Sequence, residues 1–171
     1  IAGLDAYPVL IHAGVKKDPA VPTPFFNHAI VAVAEPDGGY TLMDPTDESS
    51  RDIMPAYLSN RSYLVARPEG ETLRTTPMPP AEKNALAVDA AGTLAADGSS
   101  LLELKISFGG INDNAYRRAL LRRKPEERRK FFESVLRSRF GGVELMRCDI
   151  APAQLQDTGT PLSARLVARV A

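Results

Sequence analysis

Proline and glycine punctuate this sequence so closely that most of it has room only for short strands and turns. Fourteen prolines and twelve glycines are spread over 171 residues. Proline removes a backbone donor and fixes φ, and glycine supplies turn conformations, so each ends regular structure locally. Lys16 to Phe25 (KKDPAVPTPF) holds three prolines and reads as an irregular loop. Arg67 to Pro80 holds four and reads as an extended linker or edge segment. Helices fit only between about Asn114 and Phe140, where a lone proline, Pro125, stands at a helix start.

The apolar runs between these breaks set the expected elements. Ala6 to His12, Asn27 to Ala34, Tyr40 to Asp44 and Tyr63 to Ala66 are predicted strands in the first part. In the last part, Ala85 to Asp89, Leu101 to Phe108, Val143 to Ile150 and Ala164 to Val170 are the predicted strands. Tyr116, Ala119 and Leu120 recur at helical spacing, giving a helix over about 114–124 with Asn112 or Asp113 as N-cap. A second helix over 125–140 buries Phe131, Phe132, Val135, Leu136 and Phe140, and Gly141-Gly142 ends it. The fold class is α+β: antiparallel sheets with two consecutive helices. The expected division is a β part at 1–66, a Pro-rich linker at 67–80 and an α+β domain at 81–171.

Composition narrows the function classes. A single cysteine excludes an intrachain disulfide framework and a cysteine-built zinc or iron–sulfur cage. Two distant histidines without a third ligand give no metal site, and no motif implies a cofactor. No apolar stretch reaches the length of a membrane span. Charge is asymmetric: residues 1–111 carry 8 Lys/Arg against 14 Asp/Glu, and residues 112–171 carry 13 against 7. Arg117, Arg118, Arg122, Arg123, Lys124, Arg128, Arg129 and Lys130 crowd the helix junction. With no glycine–aromatic RNA signature or helix-turn-helix nearby, this reads as a solvated or docking surface, not a nucleic-acid face. The chain begins at Ile1 and reads as a piece of something longer.

Phe26 to Glu48 carries the most chemistry. It sets His28 at the start of one strand and an Asp-Pro-Thr, Asp44 to Thr46, at the end of the next. Asp37-Gly38 between them is a strong hairpin signal, which returns both residues to one end. A carboxylate beside an imidazole fixes its tautomer and stabilises the imidazolium, as the base and orienter of a catalytic triad do. A two-residue Asp37-Gly38 turn sets His28 opposite Asp47, and a hairpin centred near Pro36 sets it opposite Asp44. The sequence leaves both acids open. His12 ends an apolar strand and reads as structural. Cys148 alternates with Met146 and Ile150 in VELMRCDI and reads as a small buried hydrophobe.

A strand opening on His-Ala, a glycine turn and a return strand ending in Asp-Pro-Thr resembles the transglutaminase-like superfamily of thiol enzymes. Leu4 to Ile11 (LDAYPVLI) also looks like that family's strand after the nucleophile helix. The resemblance covers about residues 1–66 and is most similar to large bacterial members with a trailing domain. It implies that His28 is general base and acid, that Asp44 orients it, and that Asn27 and Asp47 are supporting candidates. It also implies a nucleophilic cysteine on a helix start upstream of Ile1, so that the 171 residues alone are inactive. The substrate would be a peptide or protein amide, opened through a thioester and closed by hydrolysis or acyl transfer. Members of this kind are often exported, which favours the bacterial cell envelope or periplasm. The alternative is a non-catalytic binding or scaffolding module of that envelope.

Overall fold

A computed structural model describes residues 3–14 and 25–171. The loop expected over Lys16 to Phe25 therefore lies outside the described residues, Phe25 excepted. The chain forms two compact units, Ile1–Pro80 and Ala81–Ala171. The described residues fold as α+β, with two antiparallel sheets and two helices.

The first unit holds β1 (Ala6–Ile11), β2 (His28–Ala34), β3 (Tyr40–Met43), β4 (Ser62–Val65) and β5 (Arg74–Thr75). They lie in the order β3-β2-β1-β4-β5, every pair antiparallel. Strand alternation puts Val9, Ile11, Ile30, Ala32, Leu42 and Val65 on one face, where they form a core with Leu58 from the loop after β3. Pro8 is tolerated in this central strand because it lies just past the last β1–β4 pair, Val9 with Val65. The hairpin between β2 and β3 follows neither register expected from the sequence. Its last ladder pair is Ala34 with Tyr40. The Glu35 amide donates to the Gly39 carbonyl at 3.0 Å, and Gly38 takes φ 82°. The connection is thus five residues long, and ladder pairing runs from Val31 with Met43 to Ala34 with Tyr40. Continued one step, it sets Asp44 beside Ile30, so that His28 faces neither Asp44 nor Asp47 directly.

The second unit holds β6 (Leu86–Leu94), β7 (Ser100–Phe108), α1 (Ile111–Leu121), α2 (Pro125–Phe140), β8 (Val143–Ala151) and β9 (Ser163–Val170). Its sheet has the order β6-β7-β9-β8. The core gathers Leu104, Phe108, Leu120, Phe132, Leu136, Leu145, Leu155, Leu162 and Leu166 between sheet and helices. The edge strand β6 stays exposed along its whole length.

Four expectations change here, each for a local reason. Helix α1 starts at Ile111 and ends at Leu121 instead of spanning 114–124, and its N-cap is Gly110, not Asn112 or Asp113. The cap is tertiary: Asn84 Oδ1 accepts from the Ile111 amide at 2.9 Å. A Cβ on Gly110 would lie 2.2 Å from that same Oδ1, which leaves glycine the residue that fits. Phe140, the last residue of α2, is 45 % exposed and not part of its buried stripe. Met146 is not on the face of Cys148 and Ile150. A β-bulge between Leu145 and Arg147 inserts it as an extra residue, 49 % exposed, and reverses the alternation of β8.

The fourth change concerns the basic stretch, which is not a uniformly solvated face. Arg117 is 0 % exposed and pairs with Asp113 through two nitrogens, at 2.8 and 3.2 Å. It also donates to the carbonyls of Leu155, Asp157 and Thr160. Arg129 donates to the Leu145 and Met146 carbonyls at the bulge, and Arg128 to that of Leu120. Arg123 donates to Ala119 and lies 4.6 Å from the centre of the Phe131 ring. Arg123 and Arg128 thus satisfy carbonyls in the last turn of α1, Arg129 those at the bulge, and Arg117 those of the loop before β9.

Candidate functional site

His28 opens β2 and Asp44 follows β3 by one residue, both on the core face of the sheet. In the observed register they are diagonal neighbours, at a spacing that long side chains bridge. His28 Nε2 lies 2.8 Å from Asp44 Oδ2. The imidazole side chain is 22 % exposed and the carboxylate 0 %.

Asp44 is held from several directions. Its Oδ1 accepts from the Thr46 amide at 3.0 Å and the Thr46 hydroxyl at 2.7 Å. Its Oδ2 accepts from the Tyr57 hydroxyl at 3.0 Å as well as from His28. Its own amide donates to the Ile53 carbonyl at 2.7 Å, which closes the loop after β3. Burial works against ionisation, but the Thr46 hydroxyl, His28, the Thr46 amide and Tyr57 outweigh it. They hold the carboxyl below its ordinary value. An ionised carboxylate only accepts, so the imidazole hydrogen belongs on Nε2 and Nδ1 keeps its lone pair. Among the described residues the bond to Asp44 is the ring's one hydrogen bond, which leaves Nδ1 available.

A stability consequence follows from the lowered carboxyl. Its contribution is fully present above the ordinary aspartate value of about 3.9 and is lost as pH falls through the folded value. The stability of the first unit should therefore fall over that acid range, and Asp44→Asn should flatten this part of the curve. Chemical denaturation of both proteins at several pH values checks it; parallel curves would show that Asp44 is not the group responsible.

The other candidates take different places. Asn27 Oδ1 accepts from the Ala13 amide at 2.7 Å. Asp47 Oδ1 accepts from the Ser49 amide and hydroxyl, at 3.0 and 2.6 Å, as turn chemistry does. His12 Nδ1 accepts from the Gly14 amide at 3.1 Å. Among the described residues no group of three His, Cys, Asp or Glu side chains could hold a metal ion. No helix among them is long and apolar enough to cross a membrane.

No protein-family model matches the sequence, and no curated protein or solved structure matches it either. Thr46 and Tyr57 are the two members that sequence reasoning passed over. Thr46 was visible inside Asp-Pro-Thr, and only its bond to the preceding carboxylate was not. Tyr57 had no local signal, since it reaches Asp44 from a 3₁₀ turn, Ala56–Leu58, in a non-periodic loop.

Cys148 belongs to the second unit, half-buried against its core. Burial raises its thiol above the ordinary value, with Arg129 acting weakly the other way. A raised thiol is a poor nucleophile at neutral pH. Iodoacetamide should alkylate Cys148 slowly in the folded protein, at a rate indifferent to His28→Ala. Fast labelling that His28→Ala slows would reverse this.

Proposed function

We propose that residues 1–66 supply the base and orienter of a transglutaminase-like thiol enzyme whose nucleophilic cysteine lies upstream of Ile1. The observation that carries the reading is the His28–Asp44 contact of 2.8 Å, the ring's one hydrogen bond among the described residues. In this reading Nδ1 accepts the proton of the cysteine thiol, and the thiolate attacks an amide carbonyl. Imidazolium then gives that proton to the departing amine as the C–N bond breaks, leaving a thioester. Water or a second amine attacks the thioester, Nδ1 takes its proton, and the thiol is released with acid or a new amide. Asp44 keeps the hydrogen on Nε2 and stabilises the imidazolium without itself being protonated.

A peptide or protein amide is the substrate class, and the bacterial envelope is the compartment proposed with it. The 171 residues alone should show no amidase, peptidase or amine-transfer activity above buffer. A longer form with the upstream cysteine should show activity that His28→Ala and Cys→Ala each remove. Amide cleavage by the short chain that survives His28→Ala would contradict the assignment. The second reading, a binding or scaffolding module, draws on one observation: the chain's own thiol is raised by burial. An inert longer form with its cysteine present would favour it.

A further inference from the structure

We infer that Tyr57 is a positioning residue that sets the proton affinity of His28 by acting through Asp44. The Tyr57 hydroxyl and His28 Nε2 donate to the same oxygen, Asp44 Oδ2, at 3.0 and 2.8 Å. Two donors on one acceptor compete for its electron density. The hydroxyl thus limits how strongly the carboxylate holds an imidazolium.

The hydroxyl is presented from an anchored support. Pro55 and Leu58, on either side of Tyr57 in sequence, are fully buried. The Leu58 carbonyl accepts from the buried Thr76 hydroxyl at 2.6 Å, and the Asp44 amide bonds Ile53 in the same loop. The loop is therefore fixed at both the carboxylate and the tyrosine, and Tyr57 reaches Asp44 without the imidazole's help. The loop that joins Asp44 to Tyr57 also carries Asp47, Glu48, Arg51 and Asp52, charged groups that a change at Tyr57 leaves in place. Ile11 of β1 pairs with His28, and Tyr63 of β4 is next in that row. Asp47 and His12 lie in the adjoining loops, with their described bonds to Ser49 and Gly14.

The catalytic meaning of this linkage rests on the function proposed above, while the linkage itself does not. It can be read on the 171-residue chain by following the His28 ring protons through a pH titration by NMR. Tyr57→Phe removes the competing donor at almost unchanged volume, so the His28 midpoint should move up by about half a unit. A 3-fluorotyrosine at position 57 is a more acidic, stronger donor, and should move the midpoint down. Asp44→Asn removes the shared acceptor. In that background Tyr57→Phe should add nothing, because its route is gone. Shifts of one sign for both tyrosine changes would overturn the inference, as would an unmoved midpoint in Tyr57→Phe or a shift that persists without Asp44. Loss of activity in a longer form, with these shifts intact, would count against the proposed function and leave the linkage standing.

Discussion

Arg117→Ala is expected to destabilise the second unit by about 3–5 kcal/mol, the cost of breaking a buried ion pair by removing one partner. Arg117 ties four places together: Asp113 in the first turn of its own helix, and the carbonyls of Leu155, Asp157 and Thr160. Asp113 also accepts from the Leu162 amide at 2.7 Å, so helix α1 and the segment before β9 share one polar centre. Leu155 and Leu162 are buried beside it. Alanine would leave the buried Asp113 carboxylate and the buried Leu155 carbonyl without their guanidinium donor. Arg117→Lys should recover little, because an ammonium cannot match the guanidinium fork on so many acceptors. Urea denaturation followed by far-UV circular dichroism would measure both variants. A loss below about 1 kcal/mol, ordinary for an exposed pair, would show that Arg117 is not the clamp described.

If the proposed function holds, the largest functional effects are expected in a longer form that carries the proposed cysteine. Asp44→Asn should lower its rate at neutral pH by about 10⁴-fold, as an amide in place of the orienting acid favours the wrong tautomer. Asp47→Asn and Asn27→Ala should change the rate little. Their side chains accept from Ser49 and from the Ala13 amide, and Asp44 already holds the ring. Rates of thioester formation for the three variants would decide among the acids. A larger loss in Asp47→Asn than in Asp44→Asn would assign the orienter wrongly here.

Much of this architecture is legible in the chain, and the exceptions share a cause. The hairpin shows itself through alternation on both sides of Asp37-Gly38. Its register does not, because a five-residue connection and a two-residue turn use the same glycine and differ by one step of pairing. The pair His28 and Asp44 is legible as two residues at one end, and its diagonal geometry is not. Helix α2 was readable from Pro125 to Phe140, since proline, first-turn acids and a glycine stop are all local. Helix α1 starts earlier than its apolar spacing indicates because its cap comes from Asn84, far back in sequence. Asp113, Asn114 and Arg117 occupy the buried side of that helix, where a search for apolar periodicity counts them as surface. The bulge at Met146 hides in the same way, as one extra residue in an otherwise regular alternation.

The central claim is that His28 is the proton acceptor of a thiol supplied by sequence upstream of Ile1. It is tested most directly by alkylating that cysteine with iodoacetamide across pH 4–9, in a longer form with and without His28→Ala. The expected result is rapid labelling that persists well below the ordinary thiol value of about 8.5, because a thiolate–imidazolium pair forms. His28→Ala should return the labelling curve to that ordinary value. A cysteine whose labelling curve is the same with and without His28 would contradict the account.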